Sequence, residues 1–505
     1  MLGKIEIQNL KVEHYKQLIE VMKASYPDWQ GGFWSIVSIE KLIAQFPEGQ
    51  FVIFDNDNVI GTAFSIIIKY DDFGDNHTYK QITGNYTFST HNPKGDVLYG
   101  VEVFIHPDYR GLRLGRRLYD ARKELCEKYN LKAIVFGGRI PNYHQYVDEL
   151  KPKEYIEKVK RKEIYDPVLT FQLSNDFHVK KVLQHYIPGD DESGDYATLL
   201  QWDNVYHIPH YTATRRIRKN VRLGLVQWKM RVFHSMEEMF QQIEYFVDAI
   251  SSYKSDFALF PEYFNAPLMA DFKHLPEAEA IRTMAQYTNE IANFFSRLAV
   301  TYNVNIITGS MPLYENEELK NIGYVCHRNG TMEVFYKLHI TPDEEKFWGL
   351  KGGNQLQTFE TDAGIIGVLI CYDVEFPELP RLLSEEGMQI LFVPYATDTQ
   401  NSYLRVRCCA QARAIENECF VAITGSVGNL PQVENMDLNY SQSAVFTPSD
   451  FSFPSNGIKS EATPNTEMIL ISDVDLKLLD ELHVYGSVRN LKDRRKDFYE
   501  LKRKQ

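Results

Sequence analysis

Two spacings of apolar residues alternate along the first 170 residues. Apolar residues at every second position predict strands, over residues 4–12, 50–70, 97–111 and 132–138. A turn at Asn56-Asp57-Asn58 divides the second of these runs into two strands. Apolar residues three and four apart predict helices, over residues 13–27, 38–47 and 116–129. This part of the chain is therefore a mixed α/β domain.

Residues 173–218 follow a less regular pattern. The acidic stretch 187–199 contains Gly and Pro, which is typical of a surface loop. The basic stretch 212–220 predicts a short bridge between domains. We place the domain junction near residues 215–220.

From Val221 onward, short apolar runs alternate with amphipathic segments. The apolar runs predict strands buried on both faces, over residues 221–228, 256–260, 304–310, 322–328, 332–340, 364–371, 390–396, 419–425, 443–448 and 468–476. The amphipathic segments predict helices, over residues 236–252, 279–302, 377–387 and 403–418. So many strands between helices indicate two sheets packed in an α/β arrangement.

The last segment of the chain, residues 489–505, contains eight basic and three acidic residues. This composition favours a solvated C-terminal helix, with a docking arm onto a second, acidic subunit as the alternative. The sequence thus divides into residues 1–215, residues 220–488 and a basic tail, residues 489–505.

Length, composition and charge narrow the class of protein. The chain has 505 residues and is 44% hydrophobic, which fits several globular domains and excludes a disordered or fibrous chain. Its net charge of −13 disfavours nucleic-acid binding. The six cysteines show neither a disulfide framework nor zinc-ligand spacing, so no metal is expected.

The chain shows neither an N-terminal signal peptide nor a membrane span. Charges interrupt the first residues, and the most apolar stretch, Ala363 to Cys371, is nine residues long. A bilayer crossing needs about twenty residues. We expect a cytoplasmic protein with no membrane partner.

Three polar residues in the second half each follow an apolar strand: Glu262, Lys337 and Cys371. In α/β folds, ligands collect at the carboxyl edge of the strands. A carboxylate can take the proton of a thiol, an ammonium group can stabilise the thiolate and an oxyanion, and the thiolate can attack a carbonyl carbon. A single Cys after a strand is usually a small buried residue, whereas the three together indicate nucleophilic catalysis.

The segments FPE, YKxH and CYDxxFPEL occur here in the order found in the nitrilase superfamily of carbon–nitrogen hydrolases, which the chain resembles over residues 221–500. The resemblance implies an αββα sandwich and a Glu–Lys–Cys triad. Carried over by position, Glu262 is the general base, Lys337 the oxyanion stabiliser and Cys371 the nucleophile, while a second glutamate, Glu345, positions Lys337.

The expected pocket lies around this triad. Tyr263, Tyr372, Glu375 and the loop from Ala396 to Tyr403 are expected to line it, and the backbone N–H of Tyr372 is expected to share the oxyanion. The resemblance favours an amide over a nitrile as substrate. It implies that the reaction passes through a thioester on the cysteine. It also implies a homo-oligomer formed through this domain.

The first half holds a second candidate site where a strand runs through a basic turn into a helix. A helix N-terminus with nearby arginines and glycines suits a phosphate group. The turn resembles motif A of the GNAT N-acetyltransferases, with Arg113 in place of the middle glycine; the resemblance covers residues 4–175. It implies acetyl-CoA as co-substrate, with Val103 and Ile105 pairing with the pantetheine arm. The pyrophosphate loop comprises Arg110, Gly111, Leu112, Arg113, Leu114, Gly115, Arg116 and Arg117.

No general base stands out in this half, where Glu102 and Tyr143 are candidates. A GNAT-like domain followed by a nitrilase-like domain matches a recognised bifunctional fusion. The leading hypothesis is an amide hydrolase with an attached acetyltransferase that binds acyl-CoA. Two alternatives stay open: an amine instead of water captures the thioester, or the first domain binds CoA and regulates the second without transferring an acyl group.

Overall fold

The computed structural model describes residues 3–27, 32–207, 220–233, 235–431, 433 and 436–503. The chain divides into two compact units, Met1–Arg215 and Arg216–Gln505. Of the basic bridge predicted at residues 212–220, residues 212–219 lie outside the described residues.

The first unit is built on one mixed sheet. Its strands are β1 (Ile5–Asn9), β2 (Gln50–Asp55), β3 (Asn58–Ile68), β4 (Val97–Ile105), β5 (Ala133–Arg139), β6 (His178–Gln184) and β7 (Tyr196–Asp203). Its helices are α1 (Tyr15–Ser25), α2 (Ile36–Gln45), α3 (Tyr79–Ile82), α4 (Leu114–Lys128), α5 (Pro152–Lys160) and α6 (Pro167–Leu173). The strand order among the described residues is β1-β2-β3-β4-β5-β7-β6, antiparallel except for the parallel pair β4–β5.

Both faces of this sheet are covered, as strand β3 shows. Phe64, Ile66 and Ile68 pack on the side of α1 and α2, whereas Ile67 points to the side of α4 and α5. The alternation follows from the two-residue repeat of a strand. The predicted turn between β2 and β3 is confirmed, with Asn56 in the left-handed region at φ 51°.

The prediction of an irregular segment after residue 173 is wrong. Residues 178–184 and 196–203 form β6 and β7, and residues 197–203 of β7 pair with the whole of β5. Only the acidic part between these two strands is a loop. The Gly, Pro and Asp residues of that loop hid the short alternating runs on either side.

The second unit contains many more strands. They are β8 (Asn220–Lys229), β9 (Phe257–Leu259), β10 (Asn305–Ile307), β11 (Met311–Glu315), β12 (Glu318–Cys326), β13 (Met332–Tyr336), β14 (Leu350–Lys351), β15 (Thr358–Thr361), β16 (Gly364–Val368), β17 (Ile390–Tyr395), β18 (Phe420–Asn429), β19 (Leu438–Asn439), β20 (Ala444–Phe446), β21 (Ile458–Glu461) and β22 (Met468–Asp475). The helices are α7 (Met236–Ser252), α8 (Glu277–Met284), α9 (Thr288–Tyr302), α10 (Glu378–Glu385), α11 (Gln400–Glu416) and α12 (Lys477–Tyr485).

These strands form two sheets that share one junction. One sheet runs β22-β8-β9-β10-β12, and the other runs β15-β16-β17-β18-β20-β21. They join where the end of β8 pairs with β18, at Trp228 and Ser426. Leu223 and Leu225 on β8 face the core between the sheets, while Val226 and Trp228 face the helices outside. The second unit is therefore the predicted αββα sandwich.

The predicted C-terminal helix is wrong. Helix α12 ends at Tyr485, and residues 489–503 run as turns and extended chain along the second unit. Arg494 pairs with Glu385, and Arg503 pairs with Glu386 at 2.6 Å. A segment with so few apolar residues has no face to bury, so its arginines bind the acidic end of α10 instead.

None of the described helices is both long and apolar enough to cross a lipid bilayer.

Candidate active site

Three strands of the second unit deliver the predicted triad to one place. Glu262 follows β9, Lys337 follows β13 directly, and Cys371 lies three residues after the end of β16. All three side chains are buried, with relative exposures of 1%, 1% and 7%. The structure therefore brings together the three residues that the strand-end pattern selected.

Glu262 is held by a close approach of two backbone segments. It forms a parallel bridge with Ser310, and the N–H of Tyr263 donates to the carbonyl of Ser310 at 2.9 Å. Gly309 precedes that bridge with φ +72°, and a Cβ there would lie 2.0 Å from the carbonyl oxygen of Pro261. Only glycine permits this approach, a requirement that the sequence analysis missed.

The ammonium group of Lys337 lies between two carboxylates. Its Nζ is 2.8 Å from Oε1 of Glu262 and 2.6 Å from Oε1 of Glu344. Glu344 is itself buried and accepts hydrogen bonds from the hydroxyl of Tyr263 at 2.8 Å and the N–H of Thr341 at 2.9 Å. The lysine is thus fixed by two charge-assisted contacts.

The expectation that Glu345 positions Lys337 is wrong, because the neighbouring Glu344 occupies that place. Glu345 points to solvent, with 68% of its side chain exposed, and lies 3.7 Å from Lys351. Residues Glu344–Trp348 form a π-helical turn. The wider spacing of that turn decides which of two adjacent glutamates faces inward.

Two further groups orient the carboxylate of Glu262. The side-chain amide of Asn321, on β12, donates to Oε1 at 2.9 Å, and the backbone N–H of Ala396 donates to Oε2 at 2.9 Å. Asn321 is fully buried, and its backbone carbonyl also accepts from the N–H of Lys337. Sequence reasoning missed Asn321, since a single Asn inside a strand carries no chemical signal of its own.

Cys371 lies on a sharp turn. It has φ +47° at the start of the 3-10 turn Cys371–Glu375, and its Sγ lies 3.7 Å from the carbonyl oxygen of Ala396. Left-handed backbone is uncommon for a residue other than glycine and concentrates at functional sites. The turn presents the thiol beside Glu262, close enough for the carboxylate charge to act on the pKa of the thiol.

Asp373 ties the cysteine turn to the lysine strand. Its buried carboxylate accepts from the backbone N–H groups of Leu338 at 3.0 Å and His339 at 2.8 Å. Arg413, on α11, supports the same turn by donating to the carbonyls of Val374 and Glu375. Arg413 also pairs with Glu416, one turn further along the same helix, at 2.9 Å.

The pKa values of Glu262 and Glu344 are shifted in opposite directions. Burial and the charge of Glu344 raise the pKa of Glu262 above its ordinary value, although Lys337 opposes them. Burial works against ionisation of Glu344 too, but Lys337 and its other hydrogen bonds hold the pKa of Glu344 below its ordinary value. Two carboxylates pushed apart in this way can play different roles, one as a fixed counter-ion and one as a proton carrier.

The thiol and the lysine respond to the same charges. Burial and the negative charge of Glu262 raise the pKa of Cys371 well above its usual range, so the resting group is the thiol. Burial alone would lower the pKa of Lys337, but Glu262 and Glu344 together raise it well above its usual range. The site therefore rests as a thiol beside a permanently charged ammonium group.

A cleft of about 590 Å³ opens onto the triad. Tyr372 and Glu375 line it half-buried, Glu375 lies 3.6 Å from the exposed Arg405, and Ala396, Thr397, Asp398 and Ser402 supply one wall. Tyr263 also reaches the cleft but is buried, and its hydroxyl is bound to Glu344. Among the described residues, no group of three potential metal ligands occurs.

In the first unit, the sheet opens beside the predicted CoA strand. Strand β4 pairs with β5 over Val97–Tyr99 and then continues to Ile105, so Val103 and Ile105 lie past the last paired residue. Both residues are half-buried. An unpaired strand edge can bind an extended amide-containing arm such as pantetheine.

The predicted pyrophosphate loop runs into α4. Gly111 has φ +89° with open space around it, and Arg113 caps the helix with φ +51°. Arg110 and Arg113 are exposed, Leu112, Gly115 and Arg116 are half-buried, and Leu114 is buried. These residues fit an anionic group at the helix start.

Two groups of that loop are less available for binding a pyrophosphate than expected. The side chain of Arg117 is buried, with a relative exposure of 7%, and the N–H of Arg116 already donates to the carbonyl of Arg113 at 2.9 Å.

Tyr143, a candidate general base, is buried with its hydroxyl bound to the carbonyl of Leu150 at 2.8 Å. Its role here is structural.

Two family models match the chain. The carbon-nitrogen hydrolase model matches residues 222–484, and the acetyltransferase (GNAT) family model matches residues 15–145. The first match spans the triad and the second spans the loop before α4.

Three curated relatives are similar to parts or all of the chain. The probable hydrolase YhcX of Bacillus subtilis (strain 168) is 44% identical over 504 residues, 99% of this chain and 98% of its own length. The uncharacterized N-acetyltransferase YkwB of the same organism is 31% identical, covering 40% of this chain and 90% of its own length. A deaminated glutathione amidase of Synechocystis sp. is 30% identical, covering 38% of this chain and 74% of its own length.

Proposed function

Because this chain belongs to the carbon–nitrogen hydrolases of the nitrilase superfamily and carries a GNAT-family domain before the hydrolase domain, we propose that its second unit hydrolyses a small amide through a thioester on Cys371. The observation that carries the proposal is the contact of Lys337 with Glu262 and Glu344, at 2.8 and 2.6 Å, beside a thiol on a left-handed turn. An amide is favoured because a relative from Synechocystis is named an amidase.

The first half of the reaction forms the thioester. Glu262 takes the proton of Cys371 while the sulfur attacks the amide carbonyl carbon, and the raised pKa of Glu262 suits it to hold that proton. Lys337 and the N–H of Tyr372 stabilise the oxyanion. Glu262 then gives the proton to the leaving amine, and the carbon–nitrogen bond breaks.

The second half releases the acid. Glu262, ionised again, takes a proton from water as the water oxygen attacks the thioester. The carbon–sulfur bond breaks, and Glu262 passes the proton taken from water to the sulfur. Glu344 stays ionised throughout and holds Lys337 in place, which agrees with the lowered pKa of Glu344.

Mass spectrometry of the intact chain tests the thioester. Exposed to a panel of short amides and quenched in acid, the chain gains the mass of one acyl group, located on the peptide that contains Cys371. Cys371→Ala gains no mass and loses turnover, whereas the exposed Cys408 serves as a matched control, since Cys408→Ala keeps both. Full amidase activity in Cys371→Ala contradicts the proposal.

For the first unit, we propose acetyl transfer from acetyl-CoA to an amine. The half-buried edge at Val103 and Ile105 supports binding of the pantetheine arm, and the exposed Arg110 and Arg113 beside Gly111 support binding of the pyrophosphate. When bound, acetyl-CoA supplies the activated acetyl group. Calorimetric titration of the full chain with CoA tests this: Arg110→Ala and Arg113→Ala together weaken binding about tenfold or more, and unchanged affinity contradicts it.

A further inference from the structure

One carboxylate in the cleft of the second unit takes no part in the proton transfers assigned to Glu262. Glu375 ends the 3-10 turn that begins with the nucleophile Cys371, and its side chain lines the cleft with 21% of its surface exposed. A charged group this close to the reacting atoms acts on any substrate that reaches them. Glu375 is therefore a candidate for recognition of the substrate.

The turn that carries Glu375 is held from behind. The guanidinium group of Arg413 donates to the carbonyl of Val374 at 3.0 Å and to that of Glu375 at 3.1 Å. Asp373, on the same turn, is fully buried and accepts from two backbone N–H groups of the neighbouring segment. The backbone of Glu375 shares this support with that of Cys371, so its carboxylate is tethered close to the nucleophile.

The carboxylate of Glu375 is weakly bound within the protein. It accepts no hydrogen bond from any residue in the described part of the chain, and its one ion-pair partner there is Arg405, whose Nε lies 3.6 Å from Oε1, beyond hydrogen-bond distance. Arg405 is itself 63% exposed, and an ion pair with an exposed partner contributes little. A half-buried carboxylate held so loosely can exchange this partner for a better placed cation.

The other charges along the cleft favour a cation over an anion. Asp343, Asp398 and Asp437 also line the cleft, all are exposed, and none forms an ion pair with a described residue. Outside the buried triad, the described residues that line the cleft thus carry four carboxylates, including Glu375, and one guanidinium group, that of Arg405. A cleft lined mainly by one sign of charge attracts ligands of the opposite sign.

The cleft has room for more than an amide group. Its volume of about 590 Å³ lies within the range of sites that enclose small organic ligands. A substrate with its amide carbon at the sulfur of Cys371 can therefore extend a short chain to the wall that carries Glu375.

We infer that Glu375 is a specificity-determining residue of the hydrolase, and that the substrate is an amide with an alkylammonium group on a short chain. The ammonium group takes the place of Arg405 at the carboxylate and forms a charge-assisted contact inside the cleft. The inference rests on the proposed amide hydrolysis, which it extends by naming the charge of the substrate.

Kinetics of the full chain with three amides of similar length test the inference: the cationic γ-aminobutyramide, the neutral butyramide and the anionic succinamate. We expect kcat/KM for γ-aminobutyramide to exceed that for butyramide about tenfold or more, and kcat/KM for succinamate to be lower than both. The preference for the cation shrinks between about 0.05 and 0.5 M NaCl, because salt screens charges in an open cleft. Equal values for the cationic and the neutral amide, or a preference for succinamate, overturn the inference.

Variants locate the preference. Glu375→Gln reduces the ratio of kcat/KM for γ-aminobutyramide over butyramide to about one, whereas Glu378→Gln, at an exposed position of α10, keeps the ratio of the unmodified chain. The ratio does not depend on the fraction of folded enzyme, so partial misfolding of a variant cannot imitate this result. An unchanged ratio in Glu375→Gln overturns the inference.

A further variant decides the matter if Glu375→Gln does not fold. Arg405→Ala removes the competing guanidinium group from the surface of the cleft, so the preference for γ-aminobutyramide over butyramide rises about twofold or more. A ratio that stays the same or falls in Arg405→Ala overturns the inference.

Calorimetric titration of the Cys371→Ala chain separates this inference from the proposed hydrolysis, because it measures binding without turnover. Tighter binding of γ-aminobutyramide than of butyramide, in a protein whose unmodified form hydrolyses neither, refutes the amidase proposal and not the recognition by Glu375. Hydrolysis of both amides with equal kcat/KM and equal affinity refutes the recognition alone.

Discussion

Two carboxylates of this chain, the buried Glu262 and the half-buried Glu102, differ in whether the surrounding protein supplies an opposite charge. In the second unit, Glu262 contacts Lys337 at 2.8 Å, and a second carboxylate, Glu344, contacts the same lysine at 2.6 Å. In the first unit, Glu102 has a tyrosine and a tryptophan as neighbours and no ion-pair partner among the described residues. The charge of Glu262 is balanced inside its site by a lysine, whereas that of Glu102 is met by hydrogen bonds alone among the described residues.

The largest effect is expected from removing the internal cation. Lys337→Met leaves two carboxylates buried together, so it lowers the free energy of unfolding by about 3–5 kcal/mol and reduces amidase kcat about a thousandfold or more. Urea unfolding and steady-state kinetics measure the two effects. The exposed Lys346→Met is the control and stays within about 0.5 kcal/mol of the unmodified chain. A Lys337→Met chain of unaltered stability would falsify the balance described for this site.

The next effect separates two adjacent glutamates. Glu344→Gln removes the fixed counter-ion of Lys337 and reduces kcat about a hundredfold, while Glu345→Gln changes kcat less than about twofold, since its side chain is exposed. The pair is matched in chemistry and differs only in the direction of the side chain. The reverse order of activities would contradict the placement of Glu344.

A smaller effect appears in the pH dependence of amide hydrolysis. Glu262 must be ionised to accept the thiol proton, so kcat/KM falls as the pH falls through its pKa, which lies above the ordinary 4.5. The charge of Glu344 contributes to that rise, so Glu344→Gln moves the acid limb to lower pH. If the acid limb of the kcat/KM profile stays at the same pH in Glu344→Gln, a group other than Glu262 titrates there.

The smallest effect concerns stability in the first unit. A carboxylate whose folded pKa is raised binds a proton more readily in the folded state, so its ionisation costs stability above its ordinary pKa. Glu102→Gln is therefore at least as stable as the unmodified chain at pH 7, and the difference between them narrows toward pH 4. Melting curves at both pH values measure this, and a lower melting midpoint for the variant at pH 7 argues against an uncompensated charge.

The meeting of Glu262, Lys337 and Cys371 could be predicted because each of these polar residues follows a short apolar strand, where ligands collect in α/β folds. Glu344 could not be separated from Glu345 in this way. Both have the same charge and position in a polar segment, and a π-helical turn, which leaves no periodic signal, selects between them.

The first unit was less predictable. Strands β6 and β7 are short and flank an acidic loop whose composition dominates the local pattern. The hydrogen bond from Tyr26 to Glu102 joins residues far apart along the chain, so no local spacing predicts it. The tail failed as a helix because ion pairs with α10, a tertiary effect, decide its path.

The left-handed backbone at Cys371 costs conformational energy at the residue that carries the proposed chemistry. Glycine or asparagine would adopt φ +47° with less conformational cost, so the thiol is kept at that turn against the preference of the polypeptide. Under the proposed thioester chemistry, the strain of this turn is the conformational cost of holding a nucleophile at the start of the 3-10 turn Cys371–Glu375.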